Sequence, residues 1–351
     1  MILAPPVRRA LGSNRLAERR NVREEAAGNS PRPSVGRHLR KATPRMETLR
    51  SLVGDPAPFL ATAWRREACL LRPPAPLAPP VTLADVDAVL ASGLLRIPYL
   101  ELVSQGKALE QGDYTSAHHL IDRSFRGYAD TAKVMHHLDA GATLLMRNIE
   151  HWHSGAAALV DRLGAELGRG VEAFLFVTPP GQQGFGPHRD DADVFVLQLH
   201  GSKRWQIHAI PDDGRWQAGP EPDPGPVQLE ATAHAGEVLY IPRGAPHSAV
   251  GHTDGLSFHL SLTVRQPGAA DLRTALTRHL DDGLDLPPLP VDPVELRRTA
   301  AALLDHYRER LAGLTPEALC AAVETVPQPR TGAASPEPHR TLTNLAAALR
   351  N

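Results

Sequence analysis

The chain has 351 residues, 42% hydrophobic and 22% charged, with a net charge of −1 at neutral pH, which suits a globular protein of one large domain or two to three small ones. Two cysteines, Cys69 and Cys320, leave out a disulfide framework and a cysteine-rich zinc site. No apolar run approaches the roughly 20 residues that span a bilayer, so no membrane association and a soluble, cytoplasmic protein are expected.

Charge is unevenly spread. Residues 1–45 hold ten Arg and one Lys against three Glu, a net of +8 that leaves −9 for the remainder. That acidic balance argues against direct nucleic-acid binding by the folded body. The first 45 residues show Pro, Gly, Asn and Ser with little apolar periodicity, so a disordered Arg-rich tail is expected there. It lacks the apolar stretch of a secretory signal, and Met46, where periodic sequence begins, is an alternative start. Arg outnumbers Lys by 34 to 4, which draws attention to Lys41, Lys107, Lys133 and Lys203.

From Met46 to about Ala75 the apolar spacing is helical, followed by the proline-rich PPAPLAPP. Thr82 with Asp85 three residues on fits an N-cap with a weaker version of a capping box, opening a helix to about Ala91. A strand is expected over 94–104, loops over 105–130, a helix over 131–139, a buried strand over 143–149 and a helix over 155–168. Residues 46–170 thus form a helical and mixed region that supports a β-rich core. Between 171 and 267 the character changes. Short Val, Phe, Leu and Ile runs alternate with Gly, Pro and Asp breaks, which places strands at 172–178, 193–199, 204–209, 226–230, 237–241, 247–250 and 256–264. So many closely spaced strands predict a mainly β core with flanking helices, a double-sheet barrel of jelly-roll or cupin type. Residues 268–351 return to helices at 269–281, 293–312 and 316–323, with a last short helix after the break at 327–338.

His-x-Asp occurs four times, at His137/Asp139, His188/Asp190, His252/Asp254 and His279/Asp281. Positions i and i+2 diverge in the helices expected around His137 and His279, and HTDG reads as a hairpin turn. His188 and Asp190 lie at the mouth of a strand, where i and i+2 share a face. His247 follows the tight turn PRGAP into another strand. Two imidazoles and one carboxylate on a β scaffold make the facial triad that holds Fe(II) with open positions for oxygen chemistry. A 2-oxo acid chelating that iron leaves one position for O2. If the acid is 2-oxoglutarate, its distal carboxylate needs a buried cation, for which Lys203 in HGSKRW is the candidate, with Lys203 and Arg204 as plain turn charges the alternative. Thr263 can add a hydroxyl to the same carboxylate, although a lone strand Thr is more often structural. Phe185, Phe195 and Trp205 either line a groove or fill the core. Asp191 and Asp193 either draw a basic substrate or form a solvated turn. The pairs His118/His119, His136/His137 and His151/His153 lack supporting frames for a second metal, and the three-His-plus-Glu pattern of other metal cupins is absent.

The segments TPPGQQGFGPHRDDADVFVLQLHGSKRW and GEVLYIPRGAPHSA closely resemble the JmjC-type ribosomal oxygenases, which hydroxylate Arg or His in ribosomal proteins. The detailed match covers about 171–264, with a looser likeness back to Met46. The resemblance implies a JmjC-type double-stranded β-helix using Fe(II), O2 and 2-oxoglutarate. His188, Asp190 and His247 fall at the family's iron ligands, Lys203 at its 2-oxoglutarate-binding base and Thr263 at a small hydroxyl position. It also implies a protein or peptide substrate, with a ribosomal protein the family's own, and leaves a homodimer open. Three departures stand out: Phe174 where Asn is usual, Arg189 inside His-x-Asp, and 84 residues after Pro267, short for a dimerisation region plus a winged helix. A tailoring hydroxylase for a peptide natural product and a non-catalytic JmjC-like binding module remain as alternatives.

Overall fold

The computed structural model describes residues 46–324; the Arg-rich tail and the last short helix lie outside them. In chain order come α1 (Glu47–Val53), α2 (Pro56–Thr62), β1 (Cys69–Leu71), α3 (Leu83–Ala91), β2 (Leu100–Ser104), β3 (Lys107–Ala108), α4 (Gln111–Tyr114), β4 (Thr115–Leu120), β5 (Arg123–Ala129), α5 (Thr131–Asp139), β6 (Thr143–Met146) and α6 (Ser154–Leu167). The barrel strands are β7 (Val171–Thr178), β8 (His188–Arg189), β9 (Ala192–His200), β10 (Ser202–His208), β11 (Gly219–Pro220), β12 (Val227–His234), β13 (Val238–Ile241), β14 (His247–Gly251) and β15 (Ser257–Arg265). Three helices close the described chain: α7 (Ala269–Asp281), α8 (Pro293–Ala312) and α9 (Pro316–Glu324).

Two antiparallel sheets form the expected double-sheet barrel. The larger runs β1-β13-β9-β15-β7-β6-β2-β3 and the smaller β11-β8-β14-β10-β12. Side-chain alternation divides the large sheet cleanly. Val171, Ala173, Leu175, Phe195, Leu197, Tyr240, Phe258, Leu260 and Leu262 pack outward against Leu49, Leu52, Phe59, Val86, Leu159 and Leu163 of the helices. The opposite face sends Val194, Val196, Leu239 and Ile241 to meet Trp205, Ile207 and Ala233 of the small sheet. Both faces of the central strands are therefore covered, which is why β9 reads as an almost unbroken apolar run. Strands from before residue 171 belong to the same large sheet: β6 pairs with β7 and β1 with β13.

Several stretches differ from expectation, three of them before α5. Residues 69–71 form β1 where a helix was expected, because Ala68–Leu71 is too short an apolar run to show any period. Within 94–104 only Leu100–Ser104 is a strand. Residues 105–130, expected as loops, contain β3, α4 and the β4–β5 hairpin. That hairpin is exposed along most of its length, so it carries no apolar alternation to betray it. The anticipated capping box is present: Asp85 N–H donates to Thr82 Oγ1 and Thr82 N–H to Asp85 Oδ2. Among the described residues no helix is long and apolar enough to cross a membrane.

Candidate metal centre

The glycine-rich turn after β7 delivers the chain to β8, where His188 is paired in register with His247, the first residue of β14. Directly opposed residues of an antiparallel pair share a face, and the two imidazole centroids stand 4.3 Å apart. Asp190 comes two residues after His188 and closes the group. Its Oδ1 lies 3.9 Å from His188 Nε2 and its Oδ2 3.6 Å from His247 Nε2. His188, Asp190 and His247 are the one group of potential metal ligands that converges among the described residues. The other three His-x-Asp pairs do not: two lie in α5 and α7, and His252 pairs with Asp254 in the turn after β14.

The backbone sets the ring orientations. His188 Nδ1 faces Gly186 O at 2.9 Å and His247 Nδ1 faces Ala245 O at 3.1 Å. A carbonyl can only accept, so each Nδ1 carries its proton and each Nε2 is left with a free lone pair turned towards Asp190. Burial, reinforced by the neighbouring His188, brings the His247 pKa down to about 4, so this ring is neutral at physiological pH, as a metal-binding imidazole must be. The donor set and the bare Nε2 atoms fit a divalent transition metal such as iron. His188 and Asp190 are part-exposed while His247 is buried, so the cluster opens to solvent on one side. The turn before His247 depends on Gly244, at φ +82°, where an added Cβ would lie 2.7 Å from the Trp216 ring.

Deeper in the barrel, Lys203 on β10 is 4% exposed. Its ammonium donates to Thr178 Oγ1 at 2.9 Å and sits 5.8 Å from the centroids of both Phe176 and Trp205. No ion pair reaches it among the described residues, and desolvation lowers its pKa to about 7. A buried ammonium held by one hydroxyl and two rings lacks the charged partner that such a group ordinarily has. Lys203 is therefore not a turn charge. Arg204 beside it is exposed.

Thr263 is not brought to Lys203. Its Oγ1 donates to Glu172 O at 3.3 Å, and it stands six residues along β15 from Ser257, the register partner of Thr178, about 20 Å away at the rise of a strand. The hydroxyl beside Lys203 is that of Thr178, which in turn receives a hydrogen bond from Thr143 at 3.3 Å. Alternation along β7, with Phe174, Phe176 and Thr178 on one face, was the available signal. Phe174 itself opposes Ser261 inside the barrel. Arg189 is drawn back by Glu221 at 2.6 Å and by Gly244 O at 3.0 Å, bracing the turn beside the cluster.

The acidic run separates. Asp191 binds Arg243 at 2.6 Å, while Asp193 is wholly buried on the helical side, accepting from Tyr240 Oη at 2.7 Å. It is neither a solvated turn nor part of the metal face. Phe195 is core, stacked on Trp64 at 5.9 Å. Phe185 and Trp205 do flank the cluster, 5.8 Å from His188 and 6.2 Å from His247 between ring centroids.

Residues 151–272 match the JmjC domain family. The chain is 28% identical over 301 residues to ribosomal oxygenase 1 of Gallus gallus, covering 77% of this chain and 48% of that protein. It is 33% identical over 143 residues to a bifunctional lysine-specific demethylase and histidyl-hydroxylase NO66 of Dictyostelium discoideum, covering 39% and 28% respectively. The chain thus spans half or less of the length of these curated relatives. Among solved structures, the Escherichia coli ribosomal oxygenase YcfD in complex with cobalt and 2-oxoglutarate superposes with a TM-score of 0.52 at 20% identity, covering 85% of this chain and 79% of that one. The barrel is a JmjC/cupin fold, and the likeness to ribosomal oxygenases expected from the HRDDAD and PRGAPHSA segments is present.

Proposed function

We propose that this protein is a 2-oxoglutarate- and Fe(II)-dependent oxygenase that hydroxylates a protein or peptide side chain. The observation that carries the proposal is the pairing of two features in one barrel: three potential ligand atoms turned to a common point and, deeper, a buried ammonium without a counter-ion among the described residues. In this reading His188, Asp190 and His247 hold the iron, and Lys203 with Thr178 holds the distal carboxylate of 2-oxoglutarate. Loaded iron with O2 and 2-oxoglutarate supplies decarboxylation of the oxo acid to succinate and CO2 and insertion of one oxygen atom into a substrate C–H bond.

The chain's own part is orientation and exclusion of water. The carbonyls of Gly186 and Ala245 fix the two ring tautomers. Trp205, Phe176 and Phe185 wall the chamber with apolar surface. The open side at His188 and Asp190 leaves room for a side chain to reach the metal. The name of the chicken relative and that of the bacterial structure support a ribosomal protein as substrate, and a cytoplasmic site of action is part of the same proposal. A homodimer belongs to the same proposal, since Leu296, Leu304 and Leu311 leave an exposed apolar face on α8.

The test is succinate release from 2-oxoglutarate with Fe(II), O2 and a pool of ribosomal proteins, together with a search for a 16 Da gain on one side chain. Turnover lost in Asp190→Ala and a single modified residue are expected. Equal succinate release by Asp190→Ala would remove the triad from the reaction.

A further inference from the structure

Four buried polar atoms without a hydrogen-bond partner among the described residues lie on three side chains of the barrel: Gln198 Oε1, Trp205 Nε1, and both ring nitrogens of His259. His259 on β15 is opposed by Phe176 of β7 on one side and Gln198 of β9 on the other. By alternation it shares the inner face with them. Its ring lies flat on Phe176, with centroids 4.7 Å apart and planes 9° from parallel, and meets the Trp205 ring edge-on at 5.5 Å. Phe176 and Trp205 are the same two rings that face the Lys203 ammonium.

The stacking decides where the polar edges point. With one face against Phe176, the nitrogens lie in the ring plane and cannot turn towards it. The Lys203 charge is near enough to act on this ring. His259 is 1% exposed, and burial, with the Lys203 charge second, holds its pKa well below the usual histidine value. A neutral imidazole offers one N–H donor and one acceptor whichever tautomer it adopts. Buried polar groups are ordinarily satisfied, so the unpartnered nitrogens of His259 and Trp205, beside one ammonium, suit a polar occupant rather than packing alone.

Resting on the co-substrate assignment above, we propose that His259, with Trp205 Nε1 beside it, hydrogen-bonds the distal carboxylate that Lys203 holds. The chamber thereby selects an oxo acid with a second carboxylate over a monocarboxylic one. Lys203 supplies the charge, while His259 and Trp205 supply direction: an ammonium is a point charge with rotatable donors, whereas an indole N–H and a stacked imidazole edge have fixed aim.

The test uses the full chain with Zn(II) in place of iron and measures binding of 2-oxoglutarate and of pyruvate, which lacks the distal carboxylate, by calorimetry. His259→Phe keeps the stacking and removes the nitrogens. It is expected to weaken 2-oxoglutarate tenfold or more while leaving Zn(II) and pyruvate affinities within twofold of the parent, and His259→Gln is expected to recover most of the loss. Unchanged 2-oxoglutarate affinity in His259→Phe, or equal weakening of both acids, would overturn the proposal. A parent protein that binds Zn(II) but not 2-oxoglutarate would overturn the co-substrate assignment itself, a separate result. Nitrogen-15 histidine spectra of the unmutated Zn(II) protein give a check that does not depend on a variant folding. A His259 ring-nitrogen shift on adding 2-oxoglutarate but not pyruvate is expected, and no shift with either acid contradicts the contact.

Discussion

At the scale of the residue, Lys203 has the clearest consequences. Its pKa is brought from the usual 10.5 to about 7 by burial, so between those values the unfolded chain holds a proton that the ligand-free folded protein has released. Stability from this group therefore rises with pH across that window and is lowest below it. Denaturation of the ligand-free protein at pH 7 and pH 9.5 should show the slope in the parent and not in Lys203→Met. Binding an anion returns the proton, so 2-oxoglutarate affinity should fall by up to roughly tenfold per pH unit above 7, and Lys203→Ala should raise the 2-oxoglutarate requirement sharply with no such pH dependence. Asp190 is part-exposed, and its side-chain ion pairs among the described residues are those with His188 and His247. Asp190→Ala should cut metal affinity more than about 100-fold, beyond what is typical for residues behind the ligands, while the unfolding midpoint without metal stays put. The convergence of His188, Asp190 and His247 was legible in the sequence because turn, strand and spacing frame each residue locally. Alternation along β7 puts Thr178 on the inner face, but its meeting with Lys203, like the place of His259, comes from the register between β7, β15 and β10, which no local pattern reports.

At the scale of the element, the hairpin joining β9 to β10 is held by Gly201. Its φ is +62°, and an added Cβ would lie 2.1 Å from Leu256 O, so Gly201→Ala should destabilise by about 1–3 kcal/mol, read as a lower denaturation midpoint. Because this hairpin feeds Lys203 into the chamber, 2-oxoglutarate binding should weaken as well. Thr82→Ala, which removes the capping box of α3, should cost about 1 kcal/mol without touching ligand affinity. The contrast separates local stability from site geometry. Elements with a strong apolar period or a cap, such as α3, α5 and α6, were readable in advance. The three-residue β1 and the exposed β4–β5 hairpin had neither signal, and only pairing with β13 in the one case and with each other in the other defines them.

At the scale of the whole molecule, the barrel is not separable from the chain before it. Strands β1, β2 and β6 extend the large sheet, and α1, α2 and α6 cover its outer face, where Leu175, Phe195 and Leu260 would otherwise meet water. Residues 171–267 alone should therefore remain unfolded or aggregate, whereas 46–324 should fold and bind metal; circular dichroism and metal titration of the two fragments check this. In the C-terminal region, Leu296 and Leu304 are 58% and 53% exposed and eight residues apart on α8, close to one face of a helix. Light scattering should find a dimer, and Leu296→Glu with Leu304→Glu a monomer.

The central claim is that iron and 2-oxoglutarate meet at His188, Asp190 and His247. Anaerobic titration of the Fe(II)-loaded protein with 2-oxoglutarate tests it without knowledge of the substrate, through the visible charge-transfer band of a keto acid chelating iron. A saturable band that disappears in His188→Ala is expected. Stoichiometric iron with no band at any 2-oxoglutarate concentration would contradict the account.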